Sequence, residues 1–251
     1  MRSAIPFFLL PILTRYLTPF DYGIVATFQV LLAIVMVFVN LQMGSVIAVN
    51  FFKLNKQEFR VYIGNVIYIV IISFFLTFSI IYILKRPLSH LIKFPENWIP
   101  IAVVVALCQS IFTLPLTLWE VEQKPLPYGI FQILQTFLNV SISLVFVVML
   151  GWQWQGRLLG TVIASIAFAL IGVFIIYQRK YLNFSFNKKY VRDALFFGMP
   201  LIPHALGWWI MVSIDRIFIN SMVGVAATGI YTVGYRIGMI ISLLTVSFNR
   251  A

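Results

Sequence analysis

The chain has 251 residues, of which 61% are hydrophobic and 10% charged, and its mean hydropathy is +0.99. Soluble domains carry roughly a quarter charged residues, so this composition excludes a water-soluble fold and makes lipid the solvent of most side chains. The net charge of +11 sits between apolar runs, which reads as anchoring at a membrane surface rather than as nucleic-acid binding.

Crossing about 30 Å of hydrocarbon takes roughly 20 apolar residues in a helix. At the N-terminus, Arg2 and the apolar residues after it resemble a signal peptide. Pro6 and Pro11 interrupt that stretch, no small-residue cleavage site follows, and another apolar run comes directly after. Residues 5–17 therefore read as an incomplete membrane segment. Seven more follow at 22–41, 62–84, 99–119, 128–150, 158–177, 194–214 and 226–248. The predicted fold is all-α, a polytopic transmembrane bundle.

Loops on one side carry Lys53, Lys56, Arg60, Lys124, Arg179, Lys180, Lys188, Lys189 and Arg192. The other side carries Arg15, Lys85, Arg86, Lys93, Arg157 and Arg216. The positive-inside rule makes the first set cytoplasmic and the N-terminus with it. A basic cytoplasmic linker is predicted at 179–193, between a six-helix lobe at 1–178 and the first two helices of a second lobe at 194–251. A short echo supports two lobes. YLTPFDYGIVAT (16–27) resembles SMVGVAATGIYT (221–232), each opening a helix on a Gly-Ile pair, Gly23-Ile24 and Gly229-Ile230.

Polar groups inside spans must face protein or water. Gln132, Gln135, Asn139 and Ser143 share one helical face, as either an interhelical hydrogen-bond seam or the wall of a hydrophilic pathway. Gly156, Gly160 and Ala164 form a small-residue face for close packing. Cys108 packs as an apolar residue, and one cysteine excludes disulfides within the chain. Pro115, Pro200 and Pro203 are expected to kink or break helices. His204 is a titratable residue inside a predicted span.

Arg236 lies in mid-span, where an unpaired arginine costs at least about 2.5 kcal/mol. A turn near Gly224 would bring Asp215 level with it. The pair is either a buried ion pair fixing helix register or part of a basic site for an anionic substrate, with Asp215 responsive to protons or cations. Asp215 and Arg216 are consecutive, so Arg216 points to headgroups or to the bundle centre. Arg15 and Asp21 form a similar predicted pair at the outer end of the first segment. No Gly-rich phosphate loop, HExxH, GxSxG or paired-carboxylate motif is present. No enzymatic activity, cofactor or metal is therefore expected.

PFFLLPILTRYLTPFDYGI (6–24), GWQWQGRLLG (151–160) and DRIFINSMVGVAATGIYTVGYRIG (215–238) resemble the polysaccharide biosynthesis proteins. These are O-antigen or lipopolysaccharide flippases of the multidrug/oligosaccharidyl-lipid/polysaccharide exporter superfamily. The resemblance implies a two-lobed transporter of the bacterial inner membrane, usually with twelve or more spans. It would move undecaprenyl-pyrophosphate-linked oligosaccharide through a cationic cavity, coupled to a cation gradient. Membrane lipid, a polysaccharide polymerase and a chain-length regulator would be its partners. It assigns Arg15, Arg216 and Arg236 to the substrate path, where Gln132, Gln135 and Asn139 also fall as pathway candidates. Asp215, Asp21 and His204 are the coupling candidates. Against that family the chain reads as partial, with most of the second lobe missing. The alternatives are a multidrug exporter of the same superfamily, whose site should be acidic and aromatic, and a membrane polymerase or ligase, which should show a long catalytic loop.

Overall fold

The structure, a computed structural model, describes the backbone of residues 13–249 and the side chains of residues 13–238. Most of the predicted segment 5–17 lies outside those residues. In lipid each backbone N–H and C=O must be satisfied within its own segment, which favours helices. Every regular element among the described residues is helical.

Helix α1 (Pro19–Asn40) opens on a capping box. The Thr18 hydroxyl accepts from the Asp21 N–H at 3.2 Å, and the Asp21 carboxylate accepts from the Thr18 N–H at 2.8 Å. Leu41 and Gln42 then take left-handed conformations (φ 47° and 58°), which turn the chain sharply into α2 (Met43–Phe51). The sequence predicts only a connection here. Nine residues are too few to cross a membrane, and no apolar run of spanning length marks them.

Helix α3 (Lys56–Ile92) has 37 residues, about 55 Å, and overruns the predicted 62–84 at both ends. Asn55 caps its start, accepting from the Gln57 and Glu58 amides. A single 3₁₀ turn (Glu96–Trp98) leads to α4 (Ile99–Val121), followed by α5 (Pro125–Leu144) and a π turn (Val145–Met149). Next come α6 (Gln153–Gln178), α7 (Lys188–Gly198), α8 (Ile202–Met222) and α9 (Val225–Asn249). The predicted span 194–214 is thus divided. Pro200 sits in a 3₁₀ turn (Met199–Leu201) and Pro203 in the first turn of α8, because a proline nitrogen cannot continue the helical hydrogen bonding.

Among the described residues six helical stretches are long and apolar enough to cross a membrane: Pro19–Asn40, Lys56–Ile92, Glu96–Val121, Pro125–Met149, Gln153–Gln178 and Lys188–Met222. The chain is an all-α, multi-pass membrane bundle. α1 is its axis, packing against α3, α4, α8 and α9. Ile24, Phe28, Val35 and Val39 of α1 join Ile63, Val66 and Val103 in the main core.

Residues 179–187 form a strap laid along α3, and α7 begins at Lys188, within the predicted linker 179–193. Asn65 donates to the Ser185 carbonyl and accepts from the Asn187 N–H, both at 2.9 Å. Tyr68 donates to the Phe184 carbonyl at 3.0 Å, and Arg60 to that of Lys180. Gly64 makes this approach possible, since a Cβ there would stand 2.1 Å from the Asn183 carbonyl oxygen.

At the same end Glu122 gathers three donors. Lys124 and Arg179 lie 2.8 Å and 3.0 Å from its carboxylate, and the Tyr181 hydroxyl donates at 2.8 Å. Burial works to raise the Glu122 carboxyl, but the bonds from Lys124, Tyr181 and Arg179 outweigh it and hold the group below its ordinary value. Burial and the bond to Glu122 push Tyr181 up. A carboxylate depressed in the folded state stabilises above its unfolded pKa and loses that contribution as pH falls through the folded value. Glu122→Gln should therefore cost about 1–2 kcal/mol at neutral pH. Thermal unfolding in detergent checks this: the deficit should shrink as pH drops below the ordinary 4.5. A gap independent of pH would count against the ionised knot.

Candidate functional site

The site is assembled by close packing of small residues. A Cβ at Gly160 would stand 2.2 Å from the Ser143 hydroxyl, and one at Gly156 2.9 Å from the Phe146 Cβ. α6 therefore lies directly on α5, along the edge that carries Asn139 and Ser143. That proximity brings Arg157 inward. Its guanidinium donates to Asn139 Oδ1 at 2.6 Å, to Ser143 Oγ at 2.8 Å and to Thr161 Oγ1 at 3.4 Å.

Arg157 is the functional candidate that sequence reasoning misses. It is predicted as a loop anchor because the apolar run starts at residue 158, whereas α6 begins at Gln153 and takes Arg157 into the bundle. The signal was present in GWQWQGRLLG, where Arg157 directly follows one of the small residues. Gln132 and Gln135 are half-buried on the same helix as Asn139, and neither side chain has a hydrogen-bond partner among the described residues.

α9 supplies the second arginine. Arg236 Nη2 donates to Gln29 Oε1 of α1 at 3.2 Å. Arg236 and Arg157 both lie within electrostatic reach of Tyr22, whose buried hydroxyl has no hydrogen-bond partner. The third is Arg216 of α8, with its guanidinium carbon 4.8 Å above the Tyr235 ring. Arg236 lies within electrostatic reach of both Arg157 and Arg216, so the three form an electrostatically linked row.

The Asp215–Arg236 pair does not form. Asp215 accepts instead from the Tyr231 hydroxyl and from the Arg216 N–H, the latter at 2.7 Å. Tyr231 is the α9 residue level with Asp215, and Arg236 lies five residues, about 7.5 Å, further along. Arg15 and Asp21 do not pair either: Arg15 is exposed, while buried Asp21 is committed to the Thr18 cap. His204 is exposed near the start of α8.

The chain has seven carboxylates, all of them described. Their ion pairs lie at the helix ends, Glu96 with Lys85 and Arg86, and Glu122 with Lys124 and Arg179. None forms an ion pair with the guanidinium of Arg157, Arg216 or Arg236, although Asp215 accepts from the Arg216 backbone N–H. Arginine at membrane depth normally pairs with a counter-charge or lines a water-filled path, and this row has only neutral partners. It can therefore receive an anionic group.

Residues 2–251 match the family described as "Polysaccharide biosynthesis protein". Two Haemophilus influenzae proteins are similar along 99% of the chain: an "Uncharacterized membrane protein" at 23% identity and "Lsg locus putative protein 1" at 25%. The chain spans 60% and 61% of their lengths. No solved structure matches it. With the family matched from residue 2 to residue 251, this chain belongs to the polysaccharide biosynthesis protein family.

Proposed function

We propose that the chain carries the head-group path of a transporter that flips a lipid-linked oligosaccharide across the bacterial inner membrane. The carrying observation is the row Arg157–Arg236–Arg216, three cations inside a membrane bundle without a carboxylate partner. A diphosphate or an acidic sugar supplies the missing charge, held by the forked donors of arginine. Asn139, Gln132 and Gln135 offer neutral donors and acceptors to sugar hydroxyls along the same face. A cationic site is a poor fit to small cationic drugs, which favours the glycolipid over the drug-export reading. In this reading the lysine- and arginine-rich end faces the cytoplasm, along with the N-terminus. Transport is coupled to a cation gradient, with Asp215 next to Arg216 as the responsive group.

Arg236→Ala tests the path. Its one hydrogen bond is to an exposed glutamine, so the variant should reach the membrane at the normal level. In a strain whose own copy is deleted, it should lose surface polysaccharide, accumulate the lipid-linked precursor, and recover partly with Arg236→Lys. Normal polysaccharide from the alanine variant would remove Arg236 from the path.

A further inference from the structure

The stretch Lys188–Met222 has 35 residues, while roughly 20 cross the hydrocarbon, and four of its first six are charged. Helix α7 therefore rides at head-group depth, ahead of the break at Pro200. One of its faces is fixed to the bundle. Ala194 and Gly198 are buried there, and a Cβ at Gly198 would stand 2.7 Å from the Leu41 carbonyl oxygen. Tyr190 meets Tyr62 edge-on, with ring centroids 5.5 Å apart. Asp193, the one acidic residue of α7, accepts from the Tyr62 hydroxyl at 2.9 Å.

The opposite face is open. Lys188, Arg192, Leu195, Phe196 and Met199 fall on one helical stripe, about 16 Å from first to last. They line a surface groove of about 460 Å³. At its upper end the side chains of Lys188 and Arg192 make no ion pair or hydrogen bond among the described residues. Below them the stripe is apolar, and Phe196 is 83% exposed. Across Phe196 a second groove, of about 530 Å³, adds Lys189 and Asp193 to the same two cations. One aromatic ring thus divides an apolar groove from a polar one, and both open on Lys188 and Arg192.

We infer that this stripe seats an anionic glycerophospholipid of the surrounding leaflet. Its phosphate lies between Lys188 and Arg192, its head group towards Lys189, and an acyl chain along Leu195, Phe196 and Met199. Basic residues above an apolar surface at head-group depth attract anionic lipid. A soluble anion would satisfy the cations and leave Phe196 in water, and a zwitterionic lipid would bring its own cation against Lys188 and Arg192. The seat shares no residue with the arginine row. It requires only that the bundle lie in a membrane, and its ligand is a component of the bilayer rather than a cargo, so it stands or falls apart from the transport reading.

The experiment uses the full chain in nanodiscs of phosphatidylcholine with a minority of phosphatidylglycerol, and a trace of either lipid carrying a diazirine in one acyl chain. Labelling of residues 195–199 is mapped by peptide mass and referred to exposed Phe75 and Ile83 of α3. The phosphatidylglycerol probe should label 195–199 about tenfold more than the phosphatidylcholine probe, and soluble glycerol phosphate should not compete. Lys188→Gln with Arg192→Gln should abolish the preference. Both side chains are exposed and unpaired, so this variant should fold. Lys56→Gln with Lys180→Gln removes the same charge from exposed positions off α7 and should leave the preference intact. Equal labelling by the two probes would overturn the inference, as would a preference that survives at α7 without its cations. An equal loss from the Lys56 and Lys180 pair would mean diffuse attraction and no seat, and competition by glycerol phosphate would mean a soluble anionic partner; either would overturn it too.

Discussion

Gly229→Val is expected to unseat α9 from α1 and to lower the thermal midpoint more than any change at the arginine row. A Cβ at Gly229 would stand 1.9 Å from the Pro19 carbonyl oxygen and 2.9 Å from the Gly23 nitrogen. The relation is reciprocal, since a Cβ at Gly23 would stand 1.9 Å from the Val225 carbonyl oxygen. Each glycine faces the carbonyl four residues before the other, so the crossing is close to two-fold symmetric. The atoms met are backbone, which cannot rotate away as a side-chain tip can, and both helices would have to move. Overpacking of this kind costs about 3 kcal/mol. Gly234 on the same helix is the control, with nothing within 4 Å of a built Cβ. Gly234→Val should leave the midpoint nearly unchanged. Thermal unfolding of the two variants in one detergent decides the matter, and equal midpoints would refute the crossing.

Those glycines show how far the sequence is legible. The echo between 16–27 and 221–232 marks both as helix openings, because the local pattern repeats. That they meet each other follows from a packing between residues about two hundred positions apart, which no local period records. The apolar runs announced the spans for a simple reason: a helix in lipid needs length and apolarity, and both are properties of a single segment. α2 and the strap at 179–187 escaped because they are held by tertiary bonds, such as those of Asn65 to Ser185 and Asn187. Charges within spans were visible one by one at Arg216 and Arg236. Their partners were not, since pairing depends on the register of one helix against another. Five residues of register separate the expected Asp215–Arg236 pair from the Asp215–Tyr231 bond that forms.

Arg157→Met should separate stability from activity. The guanidinium holds three neutral acceptors, Asn139, Ser143 and Thr161, and interhelical hydrogen bonds in membranes are worth about 0.6 kcal/mol each. An uncompensated arginine costs about 2.5 kcal/mol at the centre of a span and less near its end, and Arg157 lies four residues from the start of α6. Desolvation of the cation offsets its bonds to neutral groups, so methionine should leave the bundle about as stable. Asn139 and Ser143 also retain a contact with each other, at 3.4 Å. If Arg157 served only to fasten α6 to α5, losing it would lower the thermal midpoint, and export would fall only as far as folding did. If it serves an anionic head group, surface polysaccharide should drop at least about tenfold with no loss of midpoint, one charged hydrogen bond being worth that much. Arg157→Lys should be intermediate, because it keeps the charge but not the fork that reaches Asn139 and Ser143 together. A methionine variant that is stable and exports normally would leave the arginine without a role in transport. The uncompensated charge would then be a cost that the fold sustains for some other purpose.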